Sequence, residues 1–212
     1  EVAKIALDNE VGPITVSTLE EAEYFASSGF KDILYAVCII PRKFGRLDFI
    51  QKKYNCVIRI VIDSILIAKA IVDYSKLHST KFEIFIEIDC GEGRSGLDFE
   101  DKKIIEISKV FNSCDKTNLM GVLTHAGHSY LTDDKNEILS IANKEREDAL
   151  AAVKHFSNFN HCDPLISIGS TPTMLFASHL NNISEVRAGI YMFWDLAPVS
   201  YTHLRAHETD SY

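Results

Sequence analysis

The feature that most constrains the fold is an alternation of short β-branched runs with helical stretches. Seven strand candidates follow one another along the chain, over residues 13–17, 33–39, 57–62, 82–89, 119–125, 165–169 and 185–193. Several are apolar at consecutive positions, which is typical of parallel strands covered on both faces. The pattern predicts a single α/β domain, either a (β/α) barrel or a doubly wound sheet. A closed barrel needs eight strands, so with seven candidates either a terminal strand is missing or the sheet is open.

Helix signals fill the segments between the strands. Thr18 and Glu21 form a capping box at the start of a helix predicted to end before Gly29. Two further helices are predicted over 101–111, where apolar side chains form one stripe, and from 132 to about 159.

Composition excludes several classes of protein. The 212 residues carry a net charge of −8, which argues against a nucleic-acid surface. No apolar run reaches the roughly 18 residues that cross a bilayer, and no signal peptide is evident. The five cysteines are odd in number and have no C-x-x-C spacing, so neither a disulfide framework nor a zinc knuckle is predicted. A reducing, cytoplasmic setting is therefore expected.

Polar, glycine-rich clusters follow four of the strand candidates, where α/β proteins bind ligands. In the first, DCGEGRSG, Arg94 offers a planar fork for an anionic oxygen, or else pairs with a nearby carboxylate in an ordinary loop. In the second, THAGHSY, His125 and His128 have H-x-x-H spacing. A metal-dependent barrel hydrolase is one interpretation of this pair, although no third ligand has a recognisable spacing. A hydrogen-bonded histidine at a strand end is the other.

The remaining two clusters could hold a phosphate. Gly169 ends a strand, and Ser170 or Thr171 caps the helix that follows, where free N–H groups and the helix dipole favour an anion. An ordinary capped helix explains the same residues. In the last cluster, Gly189 allows a backbone N–H to approach a ligand, and Arg187 could address a ring nitrogen or a phosphate. On one barrel rim, the four clusters predict a phosphorylated cofactor or substrate.

As an ordered set, these motifs resemble one family. The succession EIDCGEGRSG, GVLTHAGHSY, SIGSTPT and EVRAGIYMFWD is similar to the pattern of the D-threonine aldolase and D-serine dehydratase family. The resemblance covers residues 1–196 and implies a (β/α)8 TIM-type barrel of the alanine racemase N-terminal kind, with the first strand missing. It implies a pyridoxal 5′-phosphate (PLP) lyase of fold type III that acts on 3-hydroxy-D-amino acids, by D-threonine aldol cleavage or D-serine dehydration. An amino-acid racemase of the same fold and a non-catalytic PLP-binding protein are the alternatives.

The resemblance also implies roles for individual residues. His125 would lie beside the cofactor ring and Tyr130 would reach the cofactor or the substrate, which makes these two the expected catalytic residues. Arg94 would lie near the phenolic oxygen of PLP. Arg187 would face the pyridine nitrogen and leave it unprotonated. The residues expected to hold the cofactor phosphate are Gly169, Ser170, Thr171, Gly189 and Ile190.

The family pattern extends past both ends of the chain. Its Schiff-base lysine belongs to a first-strand motif, R-P-H-x-K-T-H-K, upstream of residue 1, and Lys4 falls in the helix after that motif. The family's divalent metal, zinc or manganese, is held by a carboxy-terminal β-domain, so no metal ligand is expected here. Residues 197–212 match nothing in the family and are expected to be a disordered or artefactual tail. We expect this chain alone to be inactive, and the full-length protein to be a cytoplasmic homodimer with a small-molecule D-amino acid substrate and no nucleic-acid or membrane partner.

Overall fold

The strands form one parallel sheet whose spatial order is the order of the chain. The computed structural model describes residues 2–8, 11–156 and 163–190. The strands are β1 (Ile14–Val16), β2 (Asp32–Cys38), β3 (Val57–Ile62), β4 (Phe82–Ile88), β5 (Thr117–Thr124), β6 (Leu165–Ile168) and β7 (Glu185–Val186). Each pairs in parallel with the next. A doubly wound sheet reverses its strand order at a switch point, and this sheet does not. The barrel alternative is therefore confirmed, as a seven-stranded TIM-like fold.

Helices connect the strands. The α-helices are α1 (Val2–Ala6), α2 (Leu19–Ser27), α3 (Phe44–Tyr54), α4 (Ile65–His78), α5 (Lys103–Phe111), α6 (Lys135–Ala152) and α7 (Thr171–Phe176). Short 3₁₀ helices cover Pro41–Lys43, Gly127–Leu131 and Val153–Phe156. In the described part of the chain, no helix combines the length and apolar character needed to cross a membrane.

Alternate side chains of each strand pack on opposite faces of the sheet. On the outer face, residues such as Ile60 and Ile84 join the apolar stripes of the helices in one large core. On the inner face, a smaller cluster consists of Leu34, Val61, Phe85 and Leu123. Burial on both faces is the reason why the strands read as continuous apolar runs instead of alternating ones.

Helix boundaries follow local capping chemistry. The capping box at Thr18 and Glu21 is present, with the Glu21 N–H donating to Thr18 Oγ1 at 3.1 Å. The helix predicted to start at residue 132 begins instead at Lys135, because Asp134 is its N-cap and accepts a bond from the Asn136 N–H. Of the last predicted strand, Glu185–Val186 is observed, but residues 187–190 are not part of a strand, since the Ile190 N–H donates to the Thr171 side chain and not to a strand; residues 191–193 lie outside the described residues. Residues 197–212 also lie outside them.

Candidate active site

The carboxyl ends of the strands surround one large cavity. It has a volume of about 1310 Å³, and its wall includes side chains from the ends of β4 to β7. Six of the residues singled out from the sequence line it: Arg94, His125, Tyr130, Ser170, Arg187 and Gly189. Thr171 and Gly169 lie directly beside Ser170, and the Ile190 N–H donates to Thr171 Oγ1 at 3.2 Å. The strand-end clusters therefore meet in space, as parallel strands require.

The loop between β6 and α7 concentrates hydrogen-bond donors. Ser170 is the N-cap of α7 and forms a capping box with Thr173. The Thr171 N–H donates to the Tyr130 hydroxyl at 3.2 Å, which fixes Tyr130 at the loop. Gly169 has a φ of +147°, and a Cβ there would lie 2.8 Å from the backbone N and O of Arg187. Only glycine allows β6 and β7 to approach this closely beside the loop.

His125 is oriented by the same loop. Its Nδ1 lies 2.9 Å from the carbonyl oxygen of Gly169. A carbonyl only accepts hydrogen bonds, so Nδ1 carries a hydrogen, and in the tautomer that makes this bond Nε2 holds the lone pair. The imidazole thus has a defined tautomer at the cavity wall.

Arg187 is a half-buried cation in the barrel interior. Its guanidinium donates to Ser167 Oγ and to the carbonyl oxygen of Thr124. Burial lowers the pKa of this guanidinium, and the carboxylates of Glu185, Glu145 and Glu87 oppose that shift. An arginine remains protonated in proteins, so Arg187 presents a fixed donor and cannot act as a base.

Arg94 occupies a more open position. Its Nη1 lies 3.5 Å from Glu92 Oε1, and its side chain is 55% exposed. The Arg94 loop is folded tightly, since the Gly91 and Gly93 N–H groups both donate to the Asp89 carboxylate. Arg94 therefore lines the cavity and also forms a loose ion pair, so both sequence interpretations describe part of its environment.

His128 does not join His125. Its ring lies against Gly91 and its buried Nδ1 has no hydrogen-bond partner among the described residues. No group of three or more His, Cys, Asp or Glu side chains in the described ranges is arranged to hold a metal ion. The H-x-x-H pair therefore has no third ligand among the described residues, and His128 lies in the 3₁₀ helix Gly127–Leu131, beyond the end of β5.

The inner face carries polar residues that sequence reasoning missed. Glu87 is 6% exposed, and its carboxylate accepts bonds from Ser95 Oγ at 2.8 Å and Cys38 Sγ at 3.1 Å. Burial raises the pKa of the Cys38 thiol strongly, and the carboxylates of Glu87 and Asp63 add to the shift. Glu87 and Cys38 lie on β4 and β2, and both side chains point to the inner face. A polar residue two positions from an inward apolar one was the signal in the sequence that could have revealed them.

A second missed group lies at the opposite end of the barrel interior. Arg59 pairs with Asp32 at 2.9 Å, Glu83 at 3.2 Å and Glu185 at 3.6 Å. Burial raises the pKa of Asp32, an effect that Arg59 opposes and Glu185 increases. Three carboxylates around one guanidinium leave this end of the barrel negative.

Known proteins share both the sequence and the fold. The alanine racemase N-terminal domain profile matches residues 1–197. D-threo-3-hydroxyaspartate dehydratase of Delftia sp. (strain HT23) is 38% identical over 184 residues, which cover 86% of this chain and 48% of the relative. D-serine dehydratase of Dictyostelium discoideum is 29% identical over 201 residues, covering 88% of this chain and 50% of the relative. The solved structure of the Delftia dehydratase superimposes with a TM-score of 0.87 and 36% identity, over 93% of this chain and 52% of that one.

The chain spans about half the length of the curated relatives that it matches. The match nevertheless extends through all seven described strands and all four strand-end clusters. The chain therefore belongs to the alanine racemase N-terminal domain family.

Proposed function

We propose that this barrel binds PLP and forms part of a lyase that acts on 3-hydroxy-D-amino acids. The observation that carries the proposal is the convergence of a hydroxyl-rich loop, an oriented histidine and a half-buried arginine on one cavity. The two similar dehydratases support a lyase over other uses of the fold. Dehydration and aldol cleavage are both compatible with these residues.

The described residues fit the parts of PLP. Ser170 and Thr171 offer hydroxyls, and the Thr171 and Ile190 N–H groups make only long 3.2 Å bonds that a phosphate could replace. Nothing lies within 4 Å of a Cβ added at Gly189, so the backbone there has room for such a group beside it. When bound, PLP supplies the electron sink of the reaction.

The chain's own side chains would orient the reaction. Arg187 is a permanent donor, so a pyridine nitrogen that faces it would accept a hydrogen bond and stay unprotonated. His125, with its hydrogen held on Nδ1 by Gly169, would pack beside the cofactor ring in one fixed orientation. Tyr130 lies next to the loop, since its hydroxyl accepts from the Thr171 N–H, and this hydroxyl would reach the phosphate or the substrate once the phosphate takes over that N–H. Arg94 would hold the phenolic oxygen.

The proposal is tested by phosphate recognition. Pyridoxine 5′-phosphate and pyridoxine carry no aldehyde, so calorimetric titration measures their binding without covalent chemistry. We expect at least about tenfold tighter binding of the phosphorylated form, since two or more hydrogen bonds to a charged group are involved. Ser170→Ala should reduce this preference, while Ser178→Ala, at an exposed position beyond the loop, should not. Equal binding of both compounds by the unaltered chain would refute the proposal.

The reaction is tested in a longer protein. Residues 1–196 would replace the matching part of the Delftia dehydratase in a chimera. Ammonia released from D-serine or 3-hydroxyaspartate would identify a dehydratase, and glycine released from D-threonine would identify an aldolase. Racemised alanine would favour the second candidate, an amino-acid racemase, which the name of the matching family supports. Cofactor binding with none of these products would favour a non-catalytic PLP-binding protein.

The proposal also covers the oligomeric state, the metal content and the cellular location of the full-length protein. We infer a cytoplasmic enzyme, because four cysteines of the described part, Cys38, Cys56, Cys90 and Cys114, are free thiols. We infer a homodimer of the full-length protein and a divalent metal, zinc or manganese, held outside this barrel. Sedimentation analysis and metal analysis of the longer protein would test these two points. The net charge of −8 supports a small-molecule substrate over a nucleic-acid partner.

A further inference from the structure

A fully buried carboxylate lies behind the phosphate-binding loop, outside the cavity. Glu145 belongs to α6 and has 0% exposure. It is absent from the cavity wall, which is lined by Ser170 and Tyr130 on this side. A charge buried this deeply is costly unless its oxygens are fully hydrogen-bonded.

Three donors from three different elements supply those bonds. Glu145 Oε1 accepts from Thr124 Oγ1 at 2.9 Å and from the Gly169 N–H at 3.1 Å. Glu145 Oε2 accepts from Thr173 Oγ1 at 3.1 Å. The carboxylate therefore ties the end of β5, the end of β6 and the first turn of α7 to one point on α6.

Each of these donors is one bond away from a residue of the proposed site. Gly169 carries the carbonyl that orients His125. Thr173 Oγ1 lies 3.0 Å from Ser170 Oγ, in the capping box of α7. Thr124 immediately precedes His125, and its carbonyl accepts from Arg187. Displacing the Glu145 carboxylate would consequently move the loop, the histidine and the arginine together.

We propose that Glu145 is a positioning residue that sets the phosphate selectivity of the site, through the reach of its hydrogen bonds. The inference rests on the proposed function, since it concerns the same loop. By reach we mean the side-chain length that brings both carboxylate oxygens to the three donors. Reach is the decisive property and charge is not, because a negative charge behind an anion-binding loop opposes the anion. The carboxylate is retained there because it accepts all three bonds at once, while Arg187 balances its charge nearby.

Two variants separate reach from charge. In Glu145→Gln the side chain keeps its length, and its carbonyl can accept from Thr124 and Gly169. Its amide can donate to Thr173 Oγ1, and the Thr173 hydroxyl then donates to the Ser170 carbonyl, 3.2 Å away. Glu145→Asp keeps the charge and is shorter by one methylene, so it cannot reach the same donors. Asp148→Asn is the matched control, because Asp148 is also buried on α6 and bonds Lys144 instead of the loop.

The measurement is the ratio of the dissociation constants of pyridoxine and pyridoxine 5′-phosphate. A variant that is only less stable weakens both compounds by the same factor and leaves the ratio unchanged. We expect Glu145→Asp to lower the ratio about tenfold, and Glu145→Gln and Asp148→Asn to stay within about threefold of the unaltered chain. If Glu145→Asp does not fold, Thr124→Val, an isosteric change that removes one donor to Oε1, should lower the ratio about threefold.

The outcomes are distinguishable from failure of the proposed function. An unaltered chain that shows no phosphate preference would refute the proposed function itself. A preference that persists in Glu145→Asp or, where that variant does not fold, in Thr124→Val would overturn the role of Glu145. If the ratio falls as far in Glu145→Gln as in Glu145→Asp, the conclusion that side-chain reach sets the phosphate selectivity is overturned.

Discussion

Gly121 allows two central strands to approach, and its replacement by alanine should splay them. A Cβ at residue 121 would lie 1.9 Å from the carbonyl oxygen of Leu165 and 2.7 Å from its N and C atoms. Carbon and oxygen atoms in neighbouring strands are normally about 3.3–3.6 Å apart, so the overlap is about 1.4 Å or more. The Gly121–Leu165 pair is one of only three residue pairs that join β5 to β6, so the strands have little other pairing to hold them in place.

The magnitude follows from what must break. Two ladder hydrogen bonds around this pair contribute about 1 kcal/mol each, and a non-glycine residue in a sparsely allowed conformation adds about 1–2 kcal/mol. We therefore expect Gly121→Ala to lower the free energy of unfolding by about 3–4 kcal/mol, a large part of the roughly 5–15 kcal/mol of a typical domain. The 2.9 Å contact between His125 and Gly169 spans the same two strands, so phosphate preference should fall as well.

Urea unfolding followed by far-ultraviolet circular dichroism measures the effect. Gly29→Ala is the control, because Gly29 also has a positive φ, +99°, but nothing lies within 4 Å of an added Cβ. It should lose only the conformational part, about 1–2 kcal/mol. Equal losses of stability in the two variants would refute the steric explanation of Gly121.

Three further predictions concern charge, reactivity and capping. The pKa of Asp32 is raised in the folded state, so the charge of Asp32 destabilises the folded state above that pKa. This cost disappears as the pH falls below the pKa of Asp32 in the unfolded chain. Asp32→Asn should therefore stabilise the protein at pH 7 and stabilise it less near pH 4, as measured by thermal unfolding. Stabilisation that grows toward pH 4 would contradict this. Cys38 should react slowly with iodoacetamide at pH 8 and faster in Glu87→Gln, because Glu87 contributes to the raised pKa of its thiol. Peptide mass spectrometry measures both rates, and equal rates would exclude the role of that carboxylate. Thr18→Ala should cost about 1 kcal/mol of unfolding free energy by losing the N-cap bond, whereas an unchanged midpoint in urea would show that the cap contributes nothing.

Much of the fold could be predicted from local signals. Six of the seven strand candidates largely coincide with observed strands, because strands buried on both faces appear as short apolar runs, and the last is confirmed only at Glu185–Val186. The capping box at Thr18 is visible in four consecutive residues. The start of α6 was less predictable, because Asp134 and its neighbours can either cap a helix or enter its first turn.

The site was predictable where the residue type and its position after a strand indicate a ligand-binding role. Glycines, hydroxyls, His125 and Arg187 follow strands, so their meeting at one rim could be expected before any contact was known. Glu145 could not be recognised in this way, because a glutamate within a helix normally faces water. Its burial depends on Thr124 and Gly169, which are 21 and 24 residues away along the chain.

The sequence by itself determined the class of the fold and the order of the strand-end clusters, because apolar periodicity and turn chemistry are properties of neighbouring residues. Only the tertiary structure decided which polar groups share an environment. Arg59 collects carboxylates from three other strands, and Glu145 collects donors from two strand ends and a helix. Such groupings depend on the strand order and register of the sheet. They arise because a buried charge must be satisfied by whatever partners folding brings within about 3 Å, wherever they lie in the sequence.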